Sequence, residues 1–355
     1  MAERTPAVGT ELQVSDFQYH LPPEAIAQVP ADRRDGSRLL ILDRSSAEHG
    51  HRIYSELPDL VSGDELFVLN DTRVVPARLH ARKPTGGRVE LLVTGADPQR
   101  PGAMLALGRS SKPLRAGTPL VLEGGIELEI VERREGGVVS VAFPRDAWGL
   151  LDDHGELPLP PYIERPDGPT EQDRERYQTV FADAPGSAAA PTAGLHFTES
   201  LMESLEGQGC EFARVTLHVG PGTFQPVRSE RLEDHVMHHE RYEISEKAVE
   251  QIKRARAAGR PVVAVGTTVV RTLESVALAH DGELMATSGA TDLFIRPGFR
   301  LRVVDQLLTN FHLPGSTLLM LVSAFAGRER IMSAYEDALS SGYRFFSYGD
   351  GMWIR

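Results

Sequence analysis

The stretch VVAVGTTVVRTLES, from Val262 to Ser275, combines two structural patterns. An apolar run typical of a buried strand ends at Gly266, and Thr267 and Thr268 then open a helix. The threonine hydroxyls can cap this helix, and its free N–H groups can bind an anion or a ligand carboxylate. Many purely structural turns have the same pattern, so the stretch predicts a strand–turn–helix unit whose start is a candidate ligand contact.

Helix and strand alternate on both sides of this unit, from the proline-rich segment Leu157–Pro166 onward. Predicted helices are ERYQTVFA, FTESLMESLEGQG and SEKAVEQIKRARAAG, FARVTLHVG is a predicted strand, and LTNFHLPGSTLLMLVSAFAG predicts a strand end, a loop and an apolar helix. Near the N-terminus, FQYHLPPEAIAQVP predicts a short strand and then a helix that begins at two prolines. Such alternation predicts an α/β layer or barrel with parallel strands, whose ligands bind beyond the carboxyl ends of the strands.

The sequence between Arg88 and Phe143 has a different pattern, in which short apolar runs are separated by glycine-rich turns. This spacing, without helical periodicity, is typical of a small antiparallel barrel or sandwich. The segment Leu66–Leu79 predicts a buried strand, a turn and a second strand. We therefore predict an α/β protein with a larger, discontinuous, barrel-like α/β domain, residues 1–65 and 152–355. A small antiparallel β-barrel domain, residues 66–151, is inserted into it.

The composition is that of an ordinary globular protein and not of a membrane or disulfide-rich protein. Of 355 residues, 41% are hydrophobic and 25% charged, which provides a real core. No apolar run reaches the roughly 18 residues of a membrane span, and the first residues lack the apolar core of a signal peptide. We therefore expect a cytoplasmic protein with no membrane contact. Cys210 is the only cysteine and is expected to be inert packing.

The net charge of −12 is unevenly distributed along the chain. From Asn70 to Thr118, nine Lys or Arg face three Asp or Glu, a local excess of six positive charges. A basic face on an acidic protein is compatible with binding a polyanion at one place. The alternative is a solvated face of scattered charges.

Three histidines lie in similar surroundings, among apolar residues and close to Gly, Thr or Pro. They are His196 in PTAGLHFT, His218 in TLHVGPGTF and His312 in TNFHLPGST. A single histidine in such company is usually a core residue with satisfied ring nitrogens. The recurrence instead favours a pocket assembled from several strand ends.

Other candidate motifs are weaker. In NDTRV, Asp71 could take a proton and Arg73 could hold a phosphate, or the two could form a surface turn. The cluster His235, His238 and His239 lacks the spacing of known zinc motifs, so no metal is expected. GPGTFQ lacks the third glycine of a dinucleotide loop, and neither a phosphate-binding loop nor a G-x-S-x-G elbow occurs.

These stretches, in this order along the chain, resemble the S-adenosylmethionine:tRNA ribosyltransferase-isomerase family of queuosine biosynthesis. The resemblance covers nearly the whole chain. It rests on FQYHLPPEAIAQVP, RDGSRLLIL, LNDTRVVPARL, LPLPPYIERP, ERYQTVFA, PTAGLHFTE, TLHVGPGTFQPV, MHHERYEI, AVGTTVVRTLES, TNFHLPGSTLLMLVSAFAG and YRFFSYGDGMWI.

The resemblance implies a discontinuous α/β domain with an inserted barrel, and a specific reaction. Such enzymes move the ribosyl part of S-adenosylmethionine onto the aminomethyl group of 7-aminomethyl-7-deazaguanine at the wobble position of a tRNA. Epoxyqueuosine forms, and adenine and methionine are released. S-adenosylmethionine is then a cosubstrate, and no prosthetic group or metal is expected. This chemistry needs at least one base and one acid.

Three sets of site residues are predicted on these stretches. The catalytic candidates are His196, His218, His312 and Asp71. The predicted S-adenosylmethionine contacts are Thr192, Gly194, Gly266, Thr267, Thr268, Arg271 and Asn310. The predicted tRNA contacts are Arg73, Arg78, Arg82 and Lys83. A monomer is expected. Two alternatives stay open: an S-adenosylmethionine-dependent RNA methyltransferase, and a non-catalytic RNA-binding protein that uses the β insert.

Overall fold

The computed structural model describes residues 12–46, 48–220 and 229–355. Most of GPGTFQ and the first eleven residues lie outside this part of the chain. The strands of the larger sheet are β1 (Arg38–Leu42), β2 (His49–Ile53), β3 (Leu66–Asn70), β12 (Glu211–Leu217), β13 (Glu240–Ile244), β14 (Val262–Val265), β15 (Thr287–Thr291), β16 (Gln306–Asn310) and β17 (Gly351–Ile354). Six further strands form the barrel: β5 (Arg78–Arg82), β6 (Arg88–Ala96), β7 (Ala103–Ser110), β8 (Thr118–Leu122), β9 (Glu127–Arg133) and β10 (Val138–Ala142). The remaining pair is β4 (Thr72–Val74) with β11 (Ala184–Ser187).

The helices lie mainly in the second half of the chain. They are α1 (Leu57–Leu60), α2 (Ala147–His154), α3 (Glu171–Arg176), α4 (Glu199–Gly207), α5 (Glu246–Ala257), α6 (Thr267–Ala279), α7 (Thr317–Ala326) and α8 (Arg328–Ser340). No helix among the described residues is long and apolar enough to cross a membrane.

The larger sheet has nine strands in the order β15-β13-β12-β3-β14-β16-β17-β1-β2. Its centre is parallel, because β12, β3, β14 and β16 all run in one direction. β14 has a four-residue apolar run that is buried on both faces, as expected for a central parallel strand. Val262 and Ala264 pack into the core on one side of the sheet, and Val263 and Val265 into the core on the other. The carboxyl ends of these four strands therefore meet at one edge.

The barrel is closed and all its pairings are antiparallel, in the order β10-β7-β6-β5-β8-β9. Alternate residues of its strands, such as Leu79, Val89 and Leu91, fill a separate core. The predicted α/β class and the inserted antiparallel barrel are confirmed. The larger unit is a nine-stranded sheet and not the barrel-like form that we predicted, since alternating helices and strands fit a layered sheet equally well.

Strand pairing shifts the predicted start of the insert. The residues of β3 were assigned to the insert, yet β3 pairs with β12 and β14 at the centre of the larger sheet. This strand is buried at every position, so it needs neighbours on both sides, and the barrel strands start only at Arg78. The division into two domains stays a prediction, with its first boundary moved beyond β3.

Two predicted local elements are wrong. The segment Phe17–Pro30 forms neither strand nor helix: it has a short 3₁₀ turn at Pro23–Ala25, and Ala27 N donates to the carbonyl of Phe345. The Ala25 carbonyl and the Ala27 N–H both bond the backbone of Phe345, so neither is available to an α-helix. The helix predicted for ERYQTVFA ends at Arg176 as the last turn of α3. Beyond it, the Gln178 side chain bonds both backbone groups of Val74.

Candidate active site

A mainly apolar cavity opens where the carboxyl ends of β14 and β16 meet the start of α6. The space between its walls, together with the solvent at its open mouth, is about 750 Å³. Its walls are Tyr162, Ala189, Ala190, Pro191, Thr192, Ala193, Val219, Gly266, Thr267, Thr268, Thr309, Asn310, Phe311, His312, Leu313, Ser316, Leu318, Phe346 and Ser347. Five of the seven predicted S-adenosylmethionine contacts are in this set.

The start of α6 forms one wall of the cavity, as the stretch Val262–Ser275 predicts. Gly266 has a φ of 97°, a conformation that only glycine adopts without strain. The first turn has no capping side chain, so its N–H groups are available to a ligand. Thr268 is held from behind, because Asn70 Nδ2 donates to its Oγ1 over 3.1 Å. The sequence thus places a preformed polar helix start at the cavity wall.

Asn310 is the most constrained polar group of the cavity. Its Oδ1 accepts from Thr192 Oγ1 over 2.9 Å. Its Nδ2 donates to His196 Nε2 and to the carbonyl of Phe346, each over 3.2 Å. Every amide atom therefore has a partner, which fixes the orientation of the side chain.

His196 lies behind the cavity and does not line it. It is 3% exposed, and its ring stacks on Tyr54 with centroids 4.2 Å apart. Burial, reinforced by the charge of Arg344, lowers the pKa of His196 to about 3. The ring is consequently neutral at physiological pH. Its hydrogen bond with the Asn310 side chain connects it to the cavity.

His312 is the only one of the three predicted histidines that lines the cavity among the described residues. Its Nε2 and Thr309 Oγ1 lie 2.9 Å apart, and its backbone N–H donates to the hydroxyl of Tyr335. Burial lowers the pKa of His312 to about 3. The ring is therefore neutral near physiological pH and can accept a hydrogen bond, but it is neither a stored acid nor a strong base there.

His218 and Asp71 lie at a second, neighbouring pocket. His218 follows directly on β12 and lines this pocket with Thr216, Arg241 and Tyr242, whereas the next residue, Val219, lines the cavity. Burial and the charge of Arg241 lower the pKa of His218 to about 4. The hydroxyl of Thr72 lies 2.8 Å from its Nδ1.

Asp71 lies next to this second pocket, where Thr216 Oγ1 donates to its Oδ1 over 2.7 Å. Burial raises the pKa of Asp71, and the Thr216 hydrogen bond opposes that rise. Gly95 of the barrel strand β6 packs against Arg241 of the sheet strand β13, since a Cβ added at this glycine would lie 2.6 Å from the guanidinium. The pocket therefore lies where the barrel meets the larger sheet. The four predicted catalytic residues are therefore divided between two places.

The sequence model of the queuosine biosynthesis proteins matches residues 14–354. The chain belongs to this family. A relative from Anaeromyxobacter sp. (strain Fw109-5), named S-adenosylmethionine:tRNA ribosyltransferase-isomerase, is 52% identical over 349 residues, which are 97% of this chain and 99% of the relative. A relative of the same name from Pelobacter propionicus is 51% identical over 96% of this chain and 99% of its own length.

A solved relative has a similar fold. The crystal structure of an S-adenosylmethionine tRNA ribosyltransferase from Thermotoga maritima is 37% identical, with a TM-score of 0.55. The match covers 96% of this chain and 100% of that one. The family resemblance predicted from the sequence motifs is thereby confirmed.

Two predicted contacts of this queuosine biosynthesis family member do not reach the cavity. Gly194 is buried under Phe181, whose Cζ would lie 2.6 Å from an added Cβ, so its glycine serves close packing. Arg271 lies in the second turn of α6 and forms a buried ion pair with Glu240. Glu240 also accepts from the backbone of Gly220 over 2.9 Å. Helical position alone could not reveal that Arg271 points toward β13.

The four predicted tRNA contacts differ in accessibility. Arg73 and Arg82 are exposed, whereas Arg78 is half-buried and donates to the carbonyl of Leu159 over 3.1 Å. Lys83 Nζ donates to the carbonyl of Lys112 over 3.0 Å. Arg82 lines an open groove on the barrel together with Arg88 and Arg109, two basic residues that the prediction left out.

Sequence reasoning also missed the aromatic wall of the cavity, which Tyr162 and Phe346 form. Both lie in stretches that carry the family resemblance, LPLPPYIERP and YRFFSYGDGMWI, but nothing in their spacing brings them together. Asp350 of the second stretch accepts from the backbone N–H groups of Arg38 and Arg344, which supports a structural turn. Within the described ranges, no three His, Cys, Asp or Glu side chains are grouped to hold a metal.

Proposed function

We propose that this chain is an S-adenosylmethionine:tRNA ribosyltransferase-isomerase of queuosine biosynthesis. The observation that carries the proposal is the full-length match, at 52% and 51% identity, to two relatives of that name. The enzyme uses S-adenosylmethionine and tRNA as substrates. It transfers and isomerises the ribosyl moiety onto 7-aminomethyl-7-deazaguanine at the wobble position, giving epoxyqueuosine and releasing adenine and methionine.

S-adenosylmethionine binds in the cavity at the start of α6. Thr192, Thr267, Thr268 and Asn310 supply hydroxyl, amide and backbone groups there, and Gly266 allows a close approach of the ligand. The Asn70 and His196 contacts hold Thr268 and Asn310 in place before the ligand arrives. Such preorganisation is what a site for a multi-atom cosubstrate requires.

His312 is the base of the cavity. The sulfonium acidifies the C5′ proton of the ribose, and among the described residues His312 is the predicted catalytic side chain that lines the cavity. Its neutral ring is a weak base because burial lowers its pKa, so the step relies on the acidity that the sulfonium gives to the proton. His196 has no direct path to the ligand, and it acts through Asn310.

Asp71 and His218 serve the incoming amine. The aminomethyl group is an ammonium in water and must lose a proton before it attacks, which requires a base. The Asp71 carboxylate attracts this cation, and the raised pKa of Asp71 makes it a better proton acceptor than an ordinary aspartate. Its pocket lies beside the barrel, which we propose as the tRNA side of the enzyme.

The tRNA backbone contacts the basic residues of the barrel and its approach, with Arg73 and Arg82 as direct contacts. Their exposure and the local excess of positive charge support this role. We further propose that the enzyme is a monomer and works in the cytoplasm, where its tRNA substrate is found. Light scattering of the purified protein with and without tRNA tests the monomer.

The deciding experiment is one incubation of purified protein with S-adenosylmethionine and tRNA that carries 7-aminomethyl-7-deazaguanine. Adenine is measured by chromatography and the tRNA nucleosides by mass spectrometry. Adenine release together with an epoxyqueuosine nucleoside is expected. Release of S-adenosylhomocysteine supports an RNA methyltransferase instead, and tRNA binding without either product supports a non-catalytic binding protein.

A further inference from the structure

Two aromatic rings form one wall of the cavity. The ring centroids of Tyr162 and Phe346 are 4.8 Å apart and their planes are tilted by 43°. Tyr162 is anchored from behind, because its hydroxyl and Ser347 Oγ lie 2.7 Å apart. Rings fixed in this way offer a surface for a planar ligand group.

The backbone places Phe346 there against its own preference. Its φ is 70°, and Asp281 is the only other described non-glycine residue with a positive φ. A bulky residue in this region is strained and persists only when its surroundings impose it. The carbonyl of Phe346 accepts from Asn310 Nδ2 over 3.2 Å and from Gly349 N over 2.9 Å. The Thr192–Asn310–His196 contacts therefore also fix the aromatic wall.

The cavity has no charge to offer a ligand. None of the described residues that line it is Asp, Glu, Lys or Arg, and the low pKa of His312 keeps its ring neutral. Burying an ammonium or a sulfonium here is unfavourable, because no carboxylate of the described residues lines the cavity and the start of α6 carries a partial positive charge. A neutral heteroaromatic ring has no such cost, and threonine and serine hydroxyls can donate to or accept from its ring nitrogens.

We infer that this cavity is a purine subsite, in which Tyr162 and Phe346 bind the adenine ring of S-adenosylmethionine and, after transfer, free adenine. The inference rests on the proposed function for the identity of the purine. The sulfonium and the amino-acid end of the cosubstrate lie at the open mouth of the cavity, toward solvent. The modified base of the tRNA is excluded from it, because the aminomethyl group is a cation.

Equilibrium dialysis with radiolabelled adenine tests the subsite without any turnover. Phe346→Leu and Tyr162→Leu keep apolar volume but remove a ring, whereas Tyr162→Phe keeps the ring and removes the hydroxyl. Phe299→Leu is the matched control, since Phe299 is partly buried and lies outside the cavity. We expect both ring-removing variants to weaken adenine binding at least about ten-fold and Phe299→Leu to stay within about two-fold of wild type. Tyr162→Phe keeps the ring but loses its anchor, so it should weaken binding less than Tyr162→Leu does.

Unchanged adenine affinity in both folded ring-removing variants would overturn the inference, as would wild-type protein that binds no adenine at millimolar concentration. Binding of 7-aminomethyl-7-deazaguanine in its place, with the same dependence on the two rings, would also overturn it and assign the cavity to the tRNA base. If Phe346→Leu does not fold, the Tyr162→Leu and Tyr162→Phe pair decides. Turnover with S-adenosylmethionine and tRNA is measured in parallel. If adenine binding depends on the two rings but no turnover occurs, the result contradicts the proposed function and leaves the adenine subsite standing.

Discussion

Asn310 Nδ2 donates to Nε2 of His196 over 3.2 Å, and this contact defines the state of the imidazole. An amide NH₂ can only donate, so Nε2 carries no proton. The low pKa of His196, caused first by burial, leads to the same neutral ring. His196 therefore orients a cavity residue and is not a donor of protons to substrate.

Replacement of His196 separates a positioning role from acid–base catalysis. His196→Ala leaves Asn310 Nδ2 without one acceptor and frees the amide to rotate, so we expect a higher KM for S-adenosylmethionine and turnover reduced by about ten-fold or more. The profile of kcat/KM against pH should keep both its acid limb and its alkaline limb. His196→Gln, whose amide oxygen can accept the same hydrogen bond, should restore most of the activity. Loss of one limb in His196→Ala, with no rescue by Gln, would show that the ring itself transfers protons.

The buried histidines should make folding sensitive to mild acid. His196 and His312 have pKa values of about 3 in the folded protein, against 6.5 for an ordinary histidine. Between these values the unfolded chain binds more protons than the native one, so the free energy of unfolding falls as the pH falls below about 6.5. Each group contributes up to about 1.4 kcal/mol per pH unit.

Urea denaturation between pH 6.5 and 5 measures this slope. His196→Gln removes one of the histidines whose pKa is lowered in the folded protein and should lower the slope by about the contribution of one proton. His20→Gln is the control, because His20 is exposed and hydrogen-bonds no group described here. A slope in His196→Gln equal to that of wild type contradicts the prediction.

The sequence predicted those parts of the site that depend on local pattern. The strand–turn–helix unit at Gly266 is where Val262–Ser275 places it, because an apolar run, a glycine and two threonines leave few other conformations. The glycine-rich turns likewise predicted the barrel. Strand order was not predictable, since β3 reaches the centre of the larger sheet through pairing with residues far along the chain.

The three histidines show why the sequence pattern alone does not locate the rest of the site. Their flanking residues are alike, but His312 lines the cavity, His196 lies behind it and His218 faces another pocket. Strand alternation turns His218 and Val219 to opposite sides, and which side holds the ligand depends on the packing of distant segments. The same holds for Tyr162 and Phe346, which form one wall of the cavity although they lie far apart in the chain.

The barrel groove should carry the salt-dependent part of tRNA binding. Arg82, Arg88 and Arg109 line it, and each guanidinium that neutralises a phosphate releases a counterion. Replacing all three by Ala should weaken tRNA binding and lower the slope of log Kd against log salt by about 2 to 3. The KM for S-adenosylmethionine should stay unchanged, since the groove is separate from the cavity.

Filter binding at several salt concentrations provides both numbers. Arg115→Ala is the matched control, because Arg115 is exposed in the barrel segment and lies outside the groove. Arg78→Ala is a second comparison: its guanidinium bonds Leu159, so that variant should lose stability more than it loses salt dependence. An unaltered salt slope in the triple variant would identify the groove as ordinary surface.

Asp71 should determine the acid limb of the pH profile for transfer to tRNA. Thr216 Oγ1 donates to the Asp71 carboxylate and so stabilises its ionised form. Thr216→Val removes that hydrogen bond, which raises the pKa of Asp71 and moves the acid limb of kcat/KM to higher pH. Asp183→Asn removes a nearby negative charge that raises the pKa of Asp71, so the limb should move to lower pH.

The opposite signs of these two shifts make the Asp71 test specific, because general damage to the fold would not move the limb in two directions. Asp71→Asn itself should lower kcat by about 10²- to 10⁴-fold, the usual range for loss of a general base. Its KM for S-adenosylmethionine should hardly change, since Asp71 lies outside the cavity. If Asp71→Asn keeps kcat and only raises the KM for tRNA, the carboxylate binds the incoming ammonium without removing its proton. His218, the other predicted catalytic residue at that pocket, is then the next candidate to test as base.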